Sequence, residues 1–391
     1  MTALAIALSA CAIWGYLIVG RGGFWRAADR DDVARGTGEE PARWPRVVAV
    51  MPARDEASVV GESLASLLSQ DYRGGPVDVI VVDDHSSDDT IAVARRTAAA
   101  MGASSHVAVL AAPALPDGWT GKLWALHQGI GHARKLPEPP EYLLLTDADI
   151  RYAHGTLKDL VARAVRDDLV LVSLMAKLRC VSVAERALIP AFVFFFQMLY
   201  PFAWVRSADR GTAAAAGGCL LVRVAALNDA GGVEGIRGEL IDDCALARAL
   251  KRRGRIWLGL TRRAESLRAY PTVADIGRMV IRSAYAQLRF RPLGLVAATV
   301  AMAAIYLAPP ALAVFGGGAS QLVAALAWAA MTLAYGPILR FYGVAPWWAL
   351  ALPAIAGVYV AFTWQSAWRH LRGRGGEWKG RVHPRGASRR A

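Results

Sequence analysis

Cysteine is scarce and scattered. The chain has 391 residues and four cysteines, Cys11, Cys180, Cys219 and Cys244. No two form a C-x-x-C pair, so the sequence suggests neither a zinc site nor a disulfide framework. That usage is compatible with a reducing, cytosol-facing compartment. Also missing is a basic residue ahead of the first apolar run, MTALAIALSACAIWGYLIVG. A secretory leader starts with one, whereas here Arg21 and Arg26 follow the run. Residues 1–21 are therefore read as an uncleaved N-terminal span with its C-terminal flank in the cytosol. No internal repeat is visible.

What the chain has in excess is apolar surface and positive charge. Hydrophobic residues make up 55%, and there are 13 tryptophans, a residue that favours membrane interfaces. The formal net charge is +13. That balance admits nucleic acid, an anionic membrane or a phosphate-rich substrate as partner. The basic clusters at 251–263 and 369–390 both flank apolar segments, which disfavours nucleic acid.

Residues 22–44 read as a linker, and 45–290 as an α/β domain. Its strand candidates are RVVAVMPA (46–53), VDVIVVDD (77–84), HVAVLAAP (106–113), YLLLTDAD (142–149) and LVLVSLMAK (169–177). Helical patterns lie between the early ones, at 57–69, 88–101 and 121–134. Such alternation predicts a mainly parallel sheet, with ligands at the carboxyl ends of its strands. The aromatic stretch 188–206, broken by Pro190 and Pro201, reads as an amphipathic segment lying in the membrane interface. Residues 291–368 hold three apolar runs of roughly spanning length, near 293–315, 320–339 and 345–367. The tail, 369–391, carries eight Lys/Arg and one Glu. A cytosolic domain followed by three spans would leave that tail outside, against the positive-inside tendency. The resolutions are a re-entrant run or a hairpin at Pro309–Pro310, and the charge bias keeps the tail in the cytosol.

Several motifs carry chemistry. YLLLTDADI ends a buried strand on Asp147 and Asp149, and two close carboxylates there need a positive partner. Oxygen ligands combined with substrate phosphates suit Mg²⁺ or Mn²⁺. VVDDHSSDDT puts Asp83 and Asp84 at another strand tip. In PDGWTGKLWAL, Lys122 opens a helix after Gly118 and Gly121 and is a candidate phosphate contact. Gly217 and Gly218 permit close backbone approach to a ligand. Asp242 and Asp243 open a helix, where they either cap it or supply a general base for an acceptor hydroxyl.

In order, P-x-R-D-E, V-V-D-D-H-S-S-D-D-T, G-K-x-x-A-L, T-D-A-D, G-G-C and I-D-D-x-A-L resemble the inverting family 2 glycosyltransferases with a GT-A fold, over roughly residues 45–260. The N-terminal span, the phrase GWTGKLWAL, the C-terminal spans and the tail's WKGR look like the hopanoid-associated (hopene-associated) membrane branch, related to ceramide and carotenoid glycosyltransferases. The resemblance implies a GT-A, Rossmann-like domain with N- and C-terminal transmembrane helices, multi-pass in the cytoplasmic (inner) membrane and facing the cytosol. It assigns Asp55, Asp83 and Asp84 to the nucleotide base and ribose, Lys122 to the donor, and Asp147 and Asp149 to metal and diphosphate. Gly217, Gly218 and Cys219 would border the acceptor. Asp243 matches the second acid of the family's Glu-Asp pair, the base, and Asp242 stands where Glu is usual. The Q-x-x-R-W motif of processive synthases is absent, and RMVIRSAYAQLRF stands in its place. That implies transfer of a single sugar, with Arg278 and Arg282 as candidate diphosphate contacts.

The function so implied is metal-dependent transfer of one sugar from a nucleotide-diphosphate sugar to a membrane-lipid hydroxyl, of hopanoid, polyisoprenoid or sphingolipid type. A phosphoprenol sugar transferase is the alternative within the enzyme class. A non-catalytic lipid-binding membrane protein is the alternative outside it. Only an enzyme demands metal-dependent binding of a nucleotide diphosphate.

Overall fold

Continuous aliphatic runs form the strands, because a sheet covered on both faces buries every side chain. The computed structural model describes residues 1–32, 40–373 and 375, in two compact units. The sheet unit takes Asp29–Arg179 and Val205–Arg268. Its strands are β1 (Val47–Ala53), β2 (Asp78–Asp83), β3 (Val107–Ala111), β4 (Tyr142–Thr146), β5 (Ile150–Tyr152), β6 (Leu169–Lys177), β7 (Cys219–Arg223) and β8 (Arg255–Ser266). They form one sheet in the order β3-β2-β1-β4-β7-β6-β8-β5. Pairing is parallel except that β7 runs against β4 and β6, and β5 against β8. This is a GT-A fold.

The topology fixes where a ligand belongs. From β1 the chain steps outward to β2 and β3, then returns through the helix Gly121–Ala133 to β4 on the other side of β1. That reversal opens a crevice at the carboxyl ends of β1 and β4. The returning helix lies close to the sheet: a Cβ on Gly129 would come within 2.4 Å of the Val50 side chain. The helix Val60–Leu68 buries Val60, Leu64 and Leu67, the i, i+4, i+7 stripe of a helix docked by one face.

The other unit, Met1–Ala28, Cys180–Trp204 and residues 269–373, is helical. Among the described residues, four helices are long and apolar enough to cross a membrane: Thr2–Val19, Pro292–Phe315, Gly318–Tyr342 and Pro346–Leu371. Trp14 donates to the Ile305 carbonyl at 3.0 Å and meets the Tyr306 ring edge-on. Of the aromatic segment, residues 188–204 group with this unit and Val205 and Arg206 with the sheet unit, whose last described residue is Arg268. Two expectations change. Pro190 does not break its helix, which runs unbroken over Val183–Leu199. That helix is set at its start by a Ser182/Glu185 capping box, and Tyr359 donates to its Leu188 carbonyl at 2.9 Å. Nor do Pro309 and Pro310 make a hairpin. They open the segment Ala308–Phe315, which continues from Pro292–Met302 through a π-helical turn, Ala303–Leu307.

The predicted linker is packed in part. Phe24 is buried, Arg30 bridges to Leu260 of β8, and Asp31 accepts from the Thr261 hydroxyl. Residues 33–39 of the linker and 374 and 376–391 of the basic tail lie outside the described residues.

Candidate active site

β4 ends at Thr146, so Asp147 and Asp149 stand in the turn beyond it. The Gly218 carbonyl ties that turn to β7, accepting from the Thr146 hydroxyl at 3.1 Å and the Tyr152 hydroxyl at 3.2 Å. The cation that the two aspartates call for is, for Asp147, a lysine. Thr120 caps the helix Gly121–Ala133 by accepting the Leu123 amide at 3.2 Å, which sets Lys122 in the first turn. The Lys122 ammonium lies 2.8 Å from Asp147 Oδ1 and 3.5 Å from Asp242 Oδ2. Gly217 lies against this cluster: a Cβ there would stand 3.1 Å from the ammonium, a tight contact, and 3.5 Å from Asp243 Oδ2.

Asp243 is held by two amides. Gly217 donates to Oδ2 at 3.0 Å and Cys244 to Oδ1 at 2.7 Å. Burial, then the neighbouring Asp242 charge, pushes its carboxyl up to about 6, against the pull of Lys122 and the two amides. Desolvation thus outweighs the donors at the start of the helix. Burial by itself would discharge Lys122, but Asp147 and Asp242 more than offset it and raise its pKa. Asp147 is also raised, by burial first and then, against Lys122, by Asp149 and Asp242. Both directions hold at once because one ammonium is shared among several carboxylates. Asp147 keeps 35% of its side chain exposed, so water screens part of this effect.

Asp149 is anchored separately. Its Oδ2 accepts from Ser266 at 2.8 Å and lies 3.4 Å from Arg268 Nε, and Arg268 also bonds Glu56. Ser266 and Arg268 were not found in the sequence. They lie at and just after the end of β8, more than a hundred residues from Asp149, and no local motif marks them.

The acidic loops after β1 and β2 are knitted together. Asp55 Oδ1 accepts the Ser87 amide at 2.7 Å, and its own amide donates to the Ser86 hydroxyl at 3.0 Å. Asp83 accepts from Ser86. Asp55 and His85 both sit at positive φ, 51° and 58°, a strain that clusters at functional loops. Two assignments fail on burial. Asp84 is fully buried beside Arg54 (3.7 Å) and His85 (3.5 Å), leaving no surface for a nucleotide. Cys219 is fully buried in the sheet core, with its thiol pushed up to about 12 by burial, so it borders no acceptor. Arg278 and Arg282 belong to the helical unit, where Arg278 pairs with Asp275.

Beside the cluster the crevice turns apolar, lined by Leu126, Leu145, Leu220, Val233, Ile236 and Leu246 together with Lys122, Asp147, Asp242 and Asp243. Among the described residues no group of three or more His, Cys, Asp or Glu side chains forms a self-sufficient metal cage. Mg²⁺ and Mn²⁺ do not need one, since a carboxylate or two and substrate phosphates complete the shell. Asp147, Asp242 and Asp243 stand against the single ammonium of Lys122. This surplus negative charge, with oxygen donors from Asp147 and Asp149, fits such a cation.

Residues 48–231 match the family model described as glycosyl transferase family 2. The 4,4'-diaponeurosporenoate glycosyltransferase of Staphylococcus aureus (strain MRSA252) is 39% identical over 85 residues, covering 22% of this chain and 20% of that protein. The match thus spans a fifth of that relative's length. Among solved structures, a mannosyltransferase from Pyrobaculum calidifontis in complex with GDP-Man and Mn²⁺ superposes with a TM-score of 0.55 at 22% identity, covering 94% of this chain and 99% of that one. Residues 48–231, which run from β1 to β7, are thus similar to glycosyl transferase family 2, and the solved structure shares the fold.

Proposed function

We propose that this chain, whose residues 48–231 match the glycosyl transferase family 2 model, transfers a single sugar from a nucleotide-diphosphate sugar to the hydroxyl of a membrane lipid, with inversion. The observation that carries this reading is the Asp243 carboxyl, raised to about 6 and held by two amides at the switch-point crevice. A general base works best with a pKa near the working pH. The amides of Gly217 and Cys244 orient it, and each carboxylate oxygen keeps a lone pair for the acceptor proton. As that proton passes to Asp243, the acceptor oxygen attacks the anomeric carbon from the face opposite the departing nucleoside diphosphate, which inverts the centre.

Lys122 stands at the helix start to meet the donor's diphosphate, and Asp55 and Asp83 border the base and ribose. Asp147 and Asp149 would hold Mg²⁺ or Mn²⁺, which would supply a Lewis acid for the diphosphate leaving group. The relative in complex with GDP-Man and Mn²⁺ is consistent with that set. Two features support a lipid acceptor, of hopanoid or other polyisoprenoid type: the long apolar helices of the other unit, and the relative named for diaponeurosporenoate. The four long apolar helices and the aromatic segment 188–206 support a multi-pass protein of the cytoplasmic membrane, with its sheet domain in the cytosol.

The test is nucleotide-diphosphate release by the purified full chain, screened over nucleotide-sugars and a lipid panel, with and without Mn²⁺. Release that requires both metal and a lipid alcohol is expected. Donor binding without any lipid-stimulated release would leave only the non-catalytic reading.

A further inference from the structure

The helical unit holds a second, differently charged feature. From Ile276 to Gly376 the chain has no Asp or Glu at all. Its arginines in that stretch are not spread evenly. Arg289 and Arg291 precede the helix Pro292–Phe315, and Arg369 and Arg372 stand at the end of Pro346–Leu371.

The structure brings these two ends together. Phe290 stacks on His370, with ring centroids 4.2 Å apart and planes 19° off parallel. Tyr285 meets both rings edge-on and donates to the Phe290 carbonyl at 2.9 Å. The Tyr285 amide in turn donates to the Ser366 hydroxyl at 3.1 Å. The corner is strained: Arg289 and Phe290 are consecutive non-glycine residues at φ 54° and 55°, a conformation that persists only where surroundings enforce it. It pins the Phe290 ring against His370 and leaves Arg289 and Arg291 exposed on either side. Arg372 lies over the exposed Trp368 ring at 4.3 Å. Tryptophan beside arginine at the end of an apolar helix marks the headgroup level of a bilayer.

Resting on the membrane reading above, we propose that Arg289, Arg291, Arg369 and Arg372 form a collar that binds the phosphates of anionic phospholipid headgroups. The chain enters and leaves its C-terminal apolar region through this one collar. Three full crossings in alternation would separate Phe290 from His370 by the bilayer, so the region makes an even number of crossings. The basic tail then emerges on the side where the region began. No carboxylate of this stretch can neutralise the collar, and a phosphate-bearing leaflet can.

The experiment begins with the full chain in native membranes. Failure to pellet with them after carbonate extraction would sink the membrane reading itself. The protein is then purified in detergent, and retained lipid is counted by native mass spectrometry with phosphatidylglycerol or phosphatidylcholine, with and without inorganic phosphate. Preferential retention of phosphatidylglycerol, undisturbed by inorganic phosphate, is expected. It should fall at least tenfold in the Arg289→Gln/Arg291→Gln/Arg369→Gln/Arg372→Gln variant and stay unchanged in Arg95→Gln/Arg96→Gln, which removes charge from the sheet unit. Equal retention of the two lipids, displacement by phosphate alone, or an unaffected quadruple variant would each overturn the collar. Because the quadruple variant could misfold, a second readout keeps the wild-type arginines. Single cysteines at Ser283 and Gly373 should label with an impermeant maleimide from the same side of sealed vesicles, and labelling from opposite sides would refute the shared end.

Discussion

The two units treat charge in opposite ways. In the sheet unit, cations near the crevice are answered from within: Lys122 by Asp147 and Asp242, Arg268 by Glu56 and Asp149, Arg54 by Asp84. In the helical unit Arg278 pairs with Asp275, but the stretch from Ile276 to Gly376 contains no acid of its own. The crevice therefore has carboxylate to spare and is short of a cation, while the arginine end is short of an anion. Each imbalance names the charge of what the unit meets.

The largest expected effect comes from the base. Asp243→Asn keeps the size of the side chain and removes its basicity, so turnover should fall by ~10²–10⁴-fold, the range of general acid–base catalysis. Donor affinity should stay near normal. Rates at saturating donor check this, and normal turnover would reduce the Asp242–Asp243 pair to a helix cap. Next comes the metal. Asp149→Ala should abolish the part of nucleotide-sugar affinity that depends on Mn²⁺, measured by calorimetry, with thermal unfolding as a control because Ser266 and Arg268 lose their partner. Metal-dependent affinity equal to wild type would rule out the assignment.

A third variant sharpens the contrast directly. If Lys122 is the resident counter-ion of a surplus of carboxylates, then it competes with the metal before the donor arrives. Lys122→Met should raise Mn²⁺ affinity in the absence of nucleotide, by about tenfold, the scale of one close charge interaction near a protein surface. The same variant should bind nucleotide-sugar more weakly. Electron paramagnetic resonance of free Mn²⁺ measures the first quantity. Weaker metal binding in the variant would mean that Lys122 supports the site rather than occupying it.

How much of this was legible in the sequence follows the range of each interaction. The first four strands and their helices are local patterns, and their positions hold to within a few residues. β5, β7 and β8 were missed. Cys219–Arg223 is short and hides behind a glycine pair, and Arg255–Ser266 alternates with arginines that read as a basic cluster. The D-x-D pair was legible at a strand end, and so was the need for a positive charge beside it. That Lys122 supplies it was not, since the contact joins residues on separate elements. Asp84 looked like its neighbour Asp83. Only the fold reveals that one of two adjacent acids is sealed in while the other caps a loop. The collar was half visible as arginines flanking apolar runs, but nothing in the sequence brings residue 290 against residue 370.

The smallest expected effect tests whether the crevice charges act on one another. Burial is the larger cause of the raised Asp243 carboxyl, and the Asp242 charge is the next. A base acts only when unprotonated. A carboxyl raised to about 6 therefore loses its active form as pH falls through 6, and kcat/KM should drop about tenfold for each unit below that point. The raised value also means that the folded state holds this proton more tightly than the unfolded chain does. Its contribution to stability is complete below the ordinary carboxyl range and is lost as pH rises through about 6. Asp242→Asn removes the neighbouring charge and leaves the burial. The acid limb of the pH–rate profile should move to lower pH, by less than about one unit, because desolvation, the larger cause, remains. At pH 8, where Asp243 is ionised in both proteins, the two rates should differ little if Asp243 alone takes the proton. A limb that stays in place would mean that Asp242 is too well neutralised by Lys122 to reach its neighbour. A variant dead at every pH, with Asp243→Asn active, would move the base one residue toward the N-terminus.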